Sequence, residues 1–225
     1  YKLDIMLVNQ KKLGIITGSS ILLMAVLAGF VYGYVHSLIY NPDNSNLTSQ
    51  LLEENLTLYK LGITSWIAII VLDIVVSFGL YIIFKEDKKI LATVSSILRI
   101  LYTVILGIAV IQLVIPIINL GEKANSIIYF ESFEKIWSLG LIIFGIHLLT
   151  LGVICYVSGF RPKFFSIFLG FGGLSYVLVE SLNSFFPSLS GTTSTIESIL
   201  IAPMALSELS FAAWLVIKYY RQKRM

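Results

Sequence analysis

Six long apolar runs constrain this chain more than any other feature of its sequence. A helix that spans a membrane needs roughly 20 mostly apolar residues. Six segments reach that length, and they cover residues 13–39, 62–84, 90–118, 136–158, 163–186 and 195–218. Because a chain in lipid must satisfy its backbone hydrogen bonds internally, runs of this length indicate helices. The sequence therefore predicts an all-α polytopic membrane protein, with residues 1–225 forming a single transmembrane helical bundle.

Composition indicates the same class. The chain is 57% apolar and 13% charged, whereas a soluble domain is about 45–50% apolar and about 25% charged. We therefore expect the lipid bilayer as its surroundings and no nucleic acid as a partner. No GxGxxG, P-loop, HExxH or paired CxxC pattern occurs, and Cys155 is the single cysteine. An internal disulfide is thus impossible, a cysteine-based metal site is disfavoured, and we expect no cofactor.

The distribution of lysine and arginine predicts the orientation in the membrane. If the N-terminus is cytoplasmic, the inner side holds Lys2, Lys11, Lys12, Lys85, Lys88, Lys89, Arg161, Lys163, Lys218, Arg221, Lys223 and Arg224. The outer loops then hold only Lys60, Lys123 and Lys135. Since cytoplasmic loops carry the excess of positive charge, we expect both termini in the cytoplasm of a multi-pass protein of the cell (plasma) membrane.

The connections between spans predict which helices are neighbours. The inner turns at residues 85–89 and 159–162 are short, so spans two and three, and spans four and five, should form antiparallel pairs. Pro162 is expected in the first turn of span five, and Pro116 should kink or end span three. The longer outer loops, residues 41–61 and 119–135, are acidic and could carry a short interfacial helix.

Small residues suggest where helices approach closely. Gly14 and Gly18 fall near one face of the first span, and Gly145 and Gly152 lie seven residues apart in the fourth. Such seams allow close helix packing in lipid. They fit either ordinary contacts within the chain or a homo-oligomer formed through these four glycines.

Five ionisable residues lie well inside the apolar runs, namely Asp73, Arg99, His147, Glu180 and Glu208. Counted from the inner ends of their spans, all but Glu180 lie roughly 14–17 Å deep, near the bilayer midplane. Glu180 should lie nearer the outer surface, with Tyr176 one turn before it. Charged groups at such depths are costly and usually face a bundle interior or a wet cavity.

These residues are the candidates for a ligand or ion site. Asp73 and Arg99 belong to one predicted hairpin and are the natural ion pair. Four groups at one depth suggest a common site, so we take Asp73, Arg99, His147, Glu208, Glu180 and Tyr176 as candidate site residues, with no catalytic residue assigned. The alternative is structural: a buried pair that fixes helix packing, a hydrogen-bonded core histidine, and a glutamate facing a vestibule.

Two stretches also resemble a known family. FGIHLLTLGVICYVSGFRPKFFSIFLGFGGLSYVL and PMALSELSFAAWLVIK resemble a bacterial six-helix membrane family known only as domain of unknown function number four-three-eight-six. The positions that match it are Arg99, His147, Gly152, Ser158, Gly159, Pro162, Tyr176 and Glu208. After the proline, Lys163, Phe164 and Phe165 depart from its usual pattern, and the glycine at 170 is displaced. The resemblance implies six helices but no activity.

Three functions remain open from the sequence. The chain could be a small transporter, channel or ligand-binding protein, with Arg99 holding an anionic group and His147 or Glu208 changing protonation. It could be an intramembrane enzyme on a lipid, with His147 and a carboxylate as acid and base or as metal ligands. It could also be a non-catalytic partner, sensor or immunity protein. We favour the first and expect no enzyme.

Overall fold

The computed structural model describes residues 2–119, 126–160 and 162–221, and it is all-α, with no strand in those residues. The long helices are α1 (Lys2–Phe30), α2 (Ser45–Glu54), α3 (Leu56–Ile118), α4 (Ile127–Val157), α5 (Lys163–Phe185) and α6 (Ser190–Arg221). All except α2 carry a stretch that is long and apolar enough to cross a membrane. The predicted all-α class is confirmed, and the length and composition of these helices are consistent with a polytopic membrane protein.

Helix α3 is a hairpin of two passes. Its 63 residues would extend ~95 Å if straight, about three times the ~30 Å hydrocarbon core of a bilayer. The backbone leaves the helical region at Lys88, where φ is −145° and ψ is 65°. Residues at similar distances on either side of that break then meet: the Tyr59 hydroxyl donates to the Leu113 carbonyl at 2.7 Å. The first limb (56–87) and second limb (89–118) are therefore antiparallel and raise the number of passes to six.

The first and last helices place the two ends of the chain on one side of the bundle. Helix α1 continues through a π-helical segment, Val31–His36, so that an unbroken span runs over Gln10–Ile39. It packs antiparallel against α6, with Gly14 against Tyr219 and Gly18 against Val216. We call this side the proximal end, and the opposite side, where Ile39 and Phe185 lie, the distal end.

The starts of four helices differ from those predicted, and of these α1 begins at Lys2 rather than at residue 13 and α3 at Leu56 rather than at residue 62. Helix α4 begins at Ile127 rather than at residue 136, because Ile127, Phe130 and Phe133 form a buried stripe among the charged residues of its first turns. Helix α6 begins at Ser190 rather than at residue 195. The structure also corrects the position of Pro162, which lies at the N-cap of α5 with an extended ψ of 145° and precedes its first turn.

The loops hold one further helix and one tight turn. The short helix α2 occupies the first distal loop, and its N-cap is Asn44, whose side chain accepts from the Leu47 amide at 3.0 Å. Between α4 and α5 the chain reverses at Gly159, which has a φ of 68°. Glycine adopts this left-handed conformation with little strain because it has no Cβ. The Phe160 amide then donates to the Cys155 carbonyl at 3.0 Å and closes the helix end. Arg161, predicted to anchor this turn, lies outside the described residues.

All four glycines predicted to mark helix contacts lie at contacts within the chain. Besides Gly14 and Gly18, a Cβ on Gly145 would lie 2.7 Å from the Gly173 carbonyl oxygen. A Cβ on Gly152 would lie 2.8 Å from the carbonyl oxygen of Ser166. A homo-oligomer through these glycines stays a prediction, and it would require these contacts to separate.

Candidate functional site

Arg99 joins three passes at the middle of the bundle. Its side chain, on the second limb of α3, has 0% exposure. Its Nε donates to Asp73 Oδ1 at 2.7 Å, and its Nη1 donates to Glu208 Oε1 at 2.7 Å. Asp73 lies on the first limb and Glu208 on α6, so one guanidinium links two carboxylates from two other passes. We call Asp73, Arg99, His147 and Glu208 the midplane network.

Asp73 is held on both of its carboxylate oxygens. Its side chain also has 0% exposure, and Nη2 of Arg99 lies 2.7 Å from the same Oδ1 that Nε binds. That Nη2 makes no hydrogen bond with good geometry to a described residue. Oδ2 of Asp73 accepts a hydrogen bond from the hydroxyl of Thr103, one turn after Arg99. The pair is thus a buried ion pair with its carboxylate well satisfied.

His147 completes the network from α4, and its partners define its tautomer. Nδ1 lies 2.9 Å from the Ser95 carbonyl oxygen, which can only accept, so Nδ1 carries a proton. Nε2 lies 3.1 Å from Arg99 Nη1, which can only donate, so Nε2 accepts. With one donating and one accepting nitrogen, the ring is neutral in this arrangement. The ring of Phe144 flanks the guanidinium, with its centroid 5.5 Å from the guanidinium carbon.

The charges of the midplane network do not balance. Two carboxylates meet one guanidinium beside a neutral imidazole, so the ionised network carries a net charge of −1. Glu208 differs from the other three members because its side chain is 15% exposed. Among the residues that the structure describes, it accepts one hydrogen bond, through Oε1. Glu208 is therefore the member best placed to gain or release a positive charge.

The arrangement leaves little room for a metal at the same place. The Arg99 guanidinium already lies between the two carboxylates and the imidazole that a metal ion would need. No group of three His, Cys, Asp or Glu residues within the described ranges is placed to hold a metal ion. Both ring nitrogens of His147 are bound within the chain, so neither is free to act as an acid or base.

The other two predicted residues lie elsewhere. Tyr176 packs edge-on against Phe144, with ring centroids 5.3 Å apart, and the Phe144 ring in turn flanks the Arg99 guanidinium. Glu180, one turn further along α5, is separate from the network. Its Oε2 accepts a hydrogen bond from the Ser138 hydroxyl at 2.7 Å, and its side chain is 7% exposed. The six candidates therefore divide between two places rather than one.

Glu180 lines a cleft of about 660 Å³ at the distal end, which we call the distal cleft. Tyr32 from the π-helical segment and Trp137 from α4 form an aromatic wall, with ring centroids 4.7 Å apart. Glu197 of α6 and Asn183 of α5 face the same space. The volume lies in the range of about 300–1,000 Å³ that is usual for small-molecule sites.

The distal end carries negative charge beyond Glu180 and Glu197. Glu134 also lines the cleft, and its Oε1 lies 3.0 Å from Nε2 of His36. Burial, followed by the charge of Glu134, raises the pKa of Tyr40 to about 12. Lys135 lines the cleft too, but its Nζ lies 3.5 Å from Glu131.

Sequence reasoning missed Glu134, Glu197 and the role of Trp137. Glu134 falls in a stretch that looks like a loop, Glu197 lies at the start of a span, and Trp137 fits a membrane-interface aromatic. A usable signal was present: Glu134, Trp137 and Ser138 follow each other within about one helical turn. That spacing places an acid, an aromatic ring and a hydroxyl on neighbouring positions of one helix surface.

Comparison with known proteins agrees with the resemblance. The model of a family described as a domain of unknown function (DUF4386) matches residues 16–218. An uncharacterized protein of Archaeoglobus fulgidus is 30% identical over 150 residues, which cover 67% of this chain and 78% of the relative. No solved structure matches the chain.

Proposed function

We propose that this chain, which belongs to the family described as a domain of unknown function (DUF4386), is a small membrane transporter or ligand-binding protein that exchanges one positive charge at its midplane. Glu208 is the group that exchanges it. The charge enters as a proton, or as a cation that takes its place, and leaves again when the network changes its arrangement.

The observation that carries this proposal is that two carboxylates share one guanidinium, so that the network has one negative charge in excess when both are ionised. An unbalanced charge in the membrane interior is costly, and groups that retain one mark proton relays and ion pathways. A purely structural ion pair would need one carboxylate per arginine. Asp73 already supplies that carboxylate through two hydrogen-bonded oxygens, which leaves Glu208 as the surplus acid.

The surroundings of Glu208 are consistent with exchange. It lies on α6, while Asp73 and Arg99 lie on α3, so a small shift between these helices changes the distance from Glu208 to the guanidinium without opening the Asp73 pair. Ala205, one turn before Glu208, is exposed and leaves space on that flank. His147 then has a positioning role, because it holds the second proton of Arg99 Nη1.

The enzyme and partner hypotheses gain less support. Acid–base work on a lipid would need a free nitrogen on His147, and both nitrogens are bound within the chain. A purely structural core gives no reason for the second carboxylate. For orientation, we propose cytoplasmic termini in the cell membrane, from the lysine and arginine distribution given above.

Infrared absorption of the reconstituted full chain tests whether Glu208 exchanges a proton. The pH of the sample is lowered stepwise, and the carbonyl band of protonated carboxylic acid is followed. We expect a band whose intensity rises as pH falls and which is absent from Glu208→Gln. The matched control is Glu53→Gln, which removes an exposed carboxylate of α2 and should leave the band. The proposal is overturned if wild type and Glu208→Gln give the same pH-dependent spectra.

A further inference from the structure

We propose that the distal cleft is a binding site for an organic ammonium ion. This inference adds a ligand class to the proposed function, but it rests on different residues from the midplane network. The two can therefore fail separately.

The electrostatics of the cleft favour a cation. Glu134, Glu180 and Glu197 line it, and Lys135 is the one cation among its described lining residues. The Lys135 side chain is 77% exposed and pairs with Glu131, so it contributes little charge to the interior of the cleft. His36 Nε2 lies 3.0 Å from Glu134 Oε1, and no such partner is described for Glu180 or Glu197. The cleft therefore carries an excess of negative charge.

Glu180 is the strongest single indication of a ligand. Glu180 is buried, with 7% of its surface exposed, and it lines the cleft. Its hydrogen-bond donors, Ser138 and Asn183, are both neutral, and no described cation forms an ion pair with it. A buried carboxylate is costly unless a positive group or a proton accompanies it. A ligand ammonium group in the cleft would supply the missing positive charge.

The shape of the cleft favours an organic cation over a metal ion. Within the described residues, no three His, Cys, Asp or Glu side chains are grouped so that they could hold a metal ion. In contrast, the aromatic side chains of Tyr32 and Trp137 line the same space. Aromatic faces attract ammonium groups, and quaternary ammonium ligands are commonly recognised this way. The volume of about 660 Å³ is also far larger than an inorganic ion requires.

The same ammonium chemistry is found on free organic cations and on lipid head groups. Both could enter a cleft at the end of a transmembrane bundle. The shared feature is a positively charged nitrogen beside the carboxylates, with an apolar substituent against the aromatic wall.

The test is a titration of the full chain in nanodiscs with benzyltrimethylammonium, followed by saturation-transfer NMR. Discs of phosphatidylglycerol offer no ammonium head group, and discs of phosphatidylcholine offer one. We expect saturable binding in the first discs that is about tenfold weaker in Glu180→Gln, since the negative charge that attracts the ammonium group is lost. Tyr32→Leu should weaken binding by a few-fold, and Tyr32→Phe, which keeps the ring, should not.

The two lipids distinguish the sources of the ligand. If binding of the probe is weaker in phosphatidylcholine discs, a lipid head group occupies the cleft. Equal binding in both discs indicates a free ammonium ligand. The control is Glu53→Gln, a loss of charge at the distal end but away from the cleft, which should bind as wild type does. The proposal is overturned if no saturable binding occurs in phosphatidylglycerol, or if Glu180→Gln binds as tightly as Glu53→Gln.

Discussion

Asp73 and Glu208 contact the same guanidinium, but they differ in how completely they are enclosed. Asp73 has 0% exposure and hydrogen bonds on both oxygens, whereas Glu208 is 15% exposed and is held on one. In a buried network, the change in the free energy of unfolding caused by a substitution depends more on the net charge that remains than on the number of hydrogen bonds lost. The three charged residues should therefore respond unequally to neutral replacements.

Substitution of Arg99 should be the most damaging single change in the midplane network. Arg99→Met leaves two carboxylates facing each other without a cation, and we expect a loss of about 3–5 kcal/mol in stability. Asp73→Asn and Glu208→Gln each leave a neutral pair with Arg99, so their costs should be smaller, and smallest for Glu208→Gln. Thermal unfolding of the purified variants measures this order.

The double variant Asp73→Asn with Glu208→Gln provides the control for that order. It keeps both side-chain shapes but leaves Arg99 as an unpaired buried cation, so it should be far less stable than either single variant. If the two single effects instead add with no extra loss, charge balance does not govern this network.

At the scale of helices, most of the fold could be predicted from the sequence. Rise per residue is fixed, so the depths of Arg99 and His147 could be counted from the ends of their spans. The charged residues around Lys88 marked the turn of the α3 hairpin. The predicted start of α4 was wrong, because Glu131, Glu134 and Lys135 interrupt its buried stripe and end the apolar run in the sequence. The rotation of each helix about its own axis depends on how the helices pack against one another. Counting residues along the sequence does not give that rotation.

The seam between α4 and α5 makes a sharp prediction about glycine. In Gly145→Val the new Cβ meets the Gly173 carbonyl oxygen, which is backbone and cannot move aside easily. We expect destabilisation of about 1–3 kcal/mol beyond that of Gly107→Val. Gly107 is also helical but has no atom near its added Cβ, so the change in helix propensity is matched. Melting temperatures of the two variants give the comparison, and equal values would contradict a tight α4–α5 seam.

At the scale of the whole molecule, two polar places occupy different depths of one bundle. The midplane network links α3, α4 and α6, and the distal cleft lies among α1, α4, α5 and α6. The sequence predicted one set of polar residues at the midplane and Glu180 apart from it. It did not predict the cleft. Tyr32, Trp137 and Glu197 come from three different helical segments, and no sequence motif indicates that these segments pack together. Helix α4 takes part in both places, so a shift of α4 would reach each of them.

Cysteine labelling of intact cells tests the path of the chain through the membrane. With the buried Cys155 removed by Cys155→Ser, single cysteines are placed at Asp43→Cys, before α2, and Asp87→Cys, beside the break in α3. Both positions are exposed. A membrane-impermeant maleimide should label the first in intact cells and the second only after permeabilisation. Labelling of both from one side would contradict the two-pass hairpin, and a reversed pattern would invert only the orientation.

The hairpin of α3 also bears on how such a chain enters a bilayer during synthesis. Asp73 and Arg99 lie on consecutive passes joined by a turn of a few residues, so they can pair before α4 to α6 have been made. Each pass alone would expose an unpaired charge to lipid. If the two passes entered the bilayer together, Asp73 and Arg99 would neutralise each other. Glu208 arrives last, on α6, when its partner is already neutralised. The order of synthesis thus gives the two acids different roles. Asp73 can neutralise Arg99 during insertion, and Glu208 joins an arginine that already has a partner.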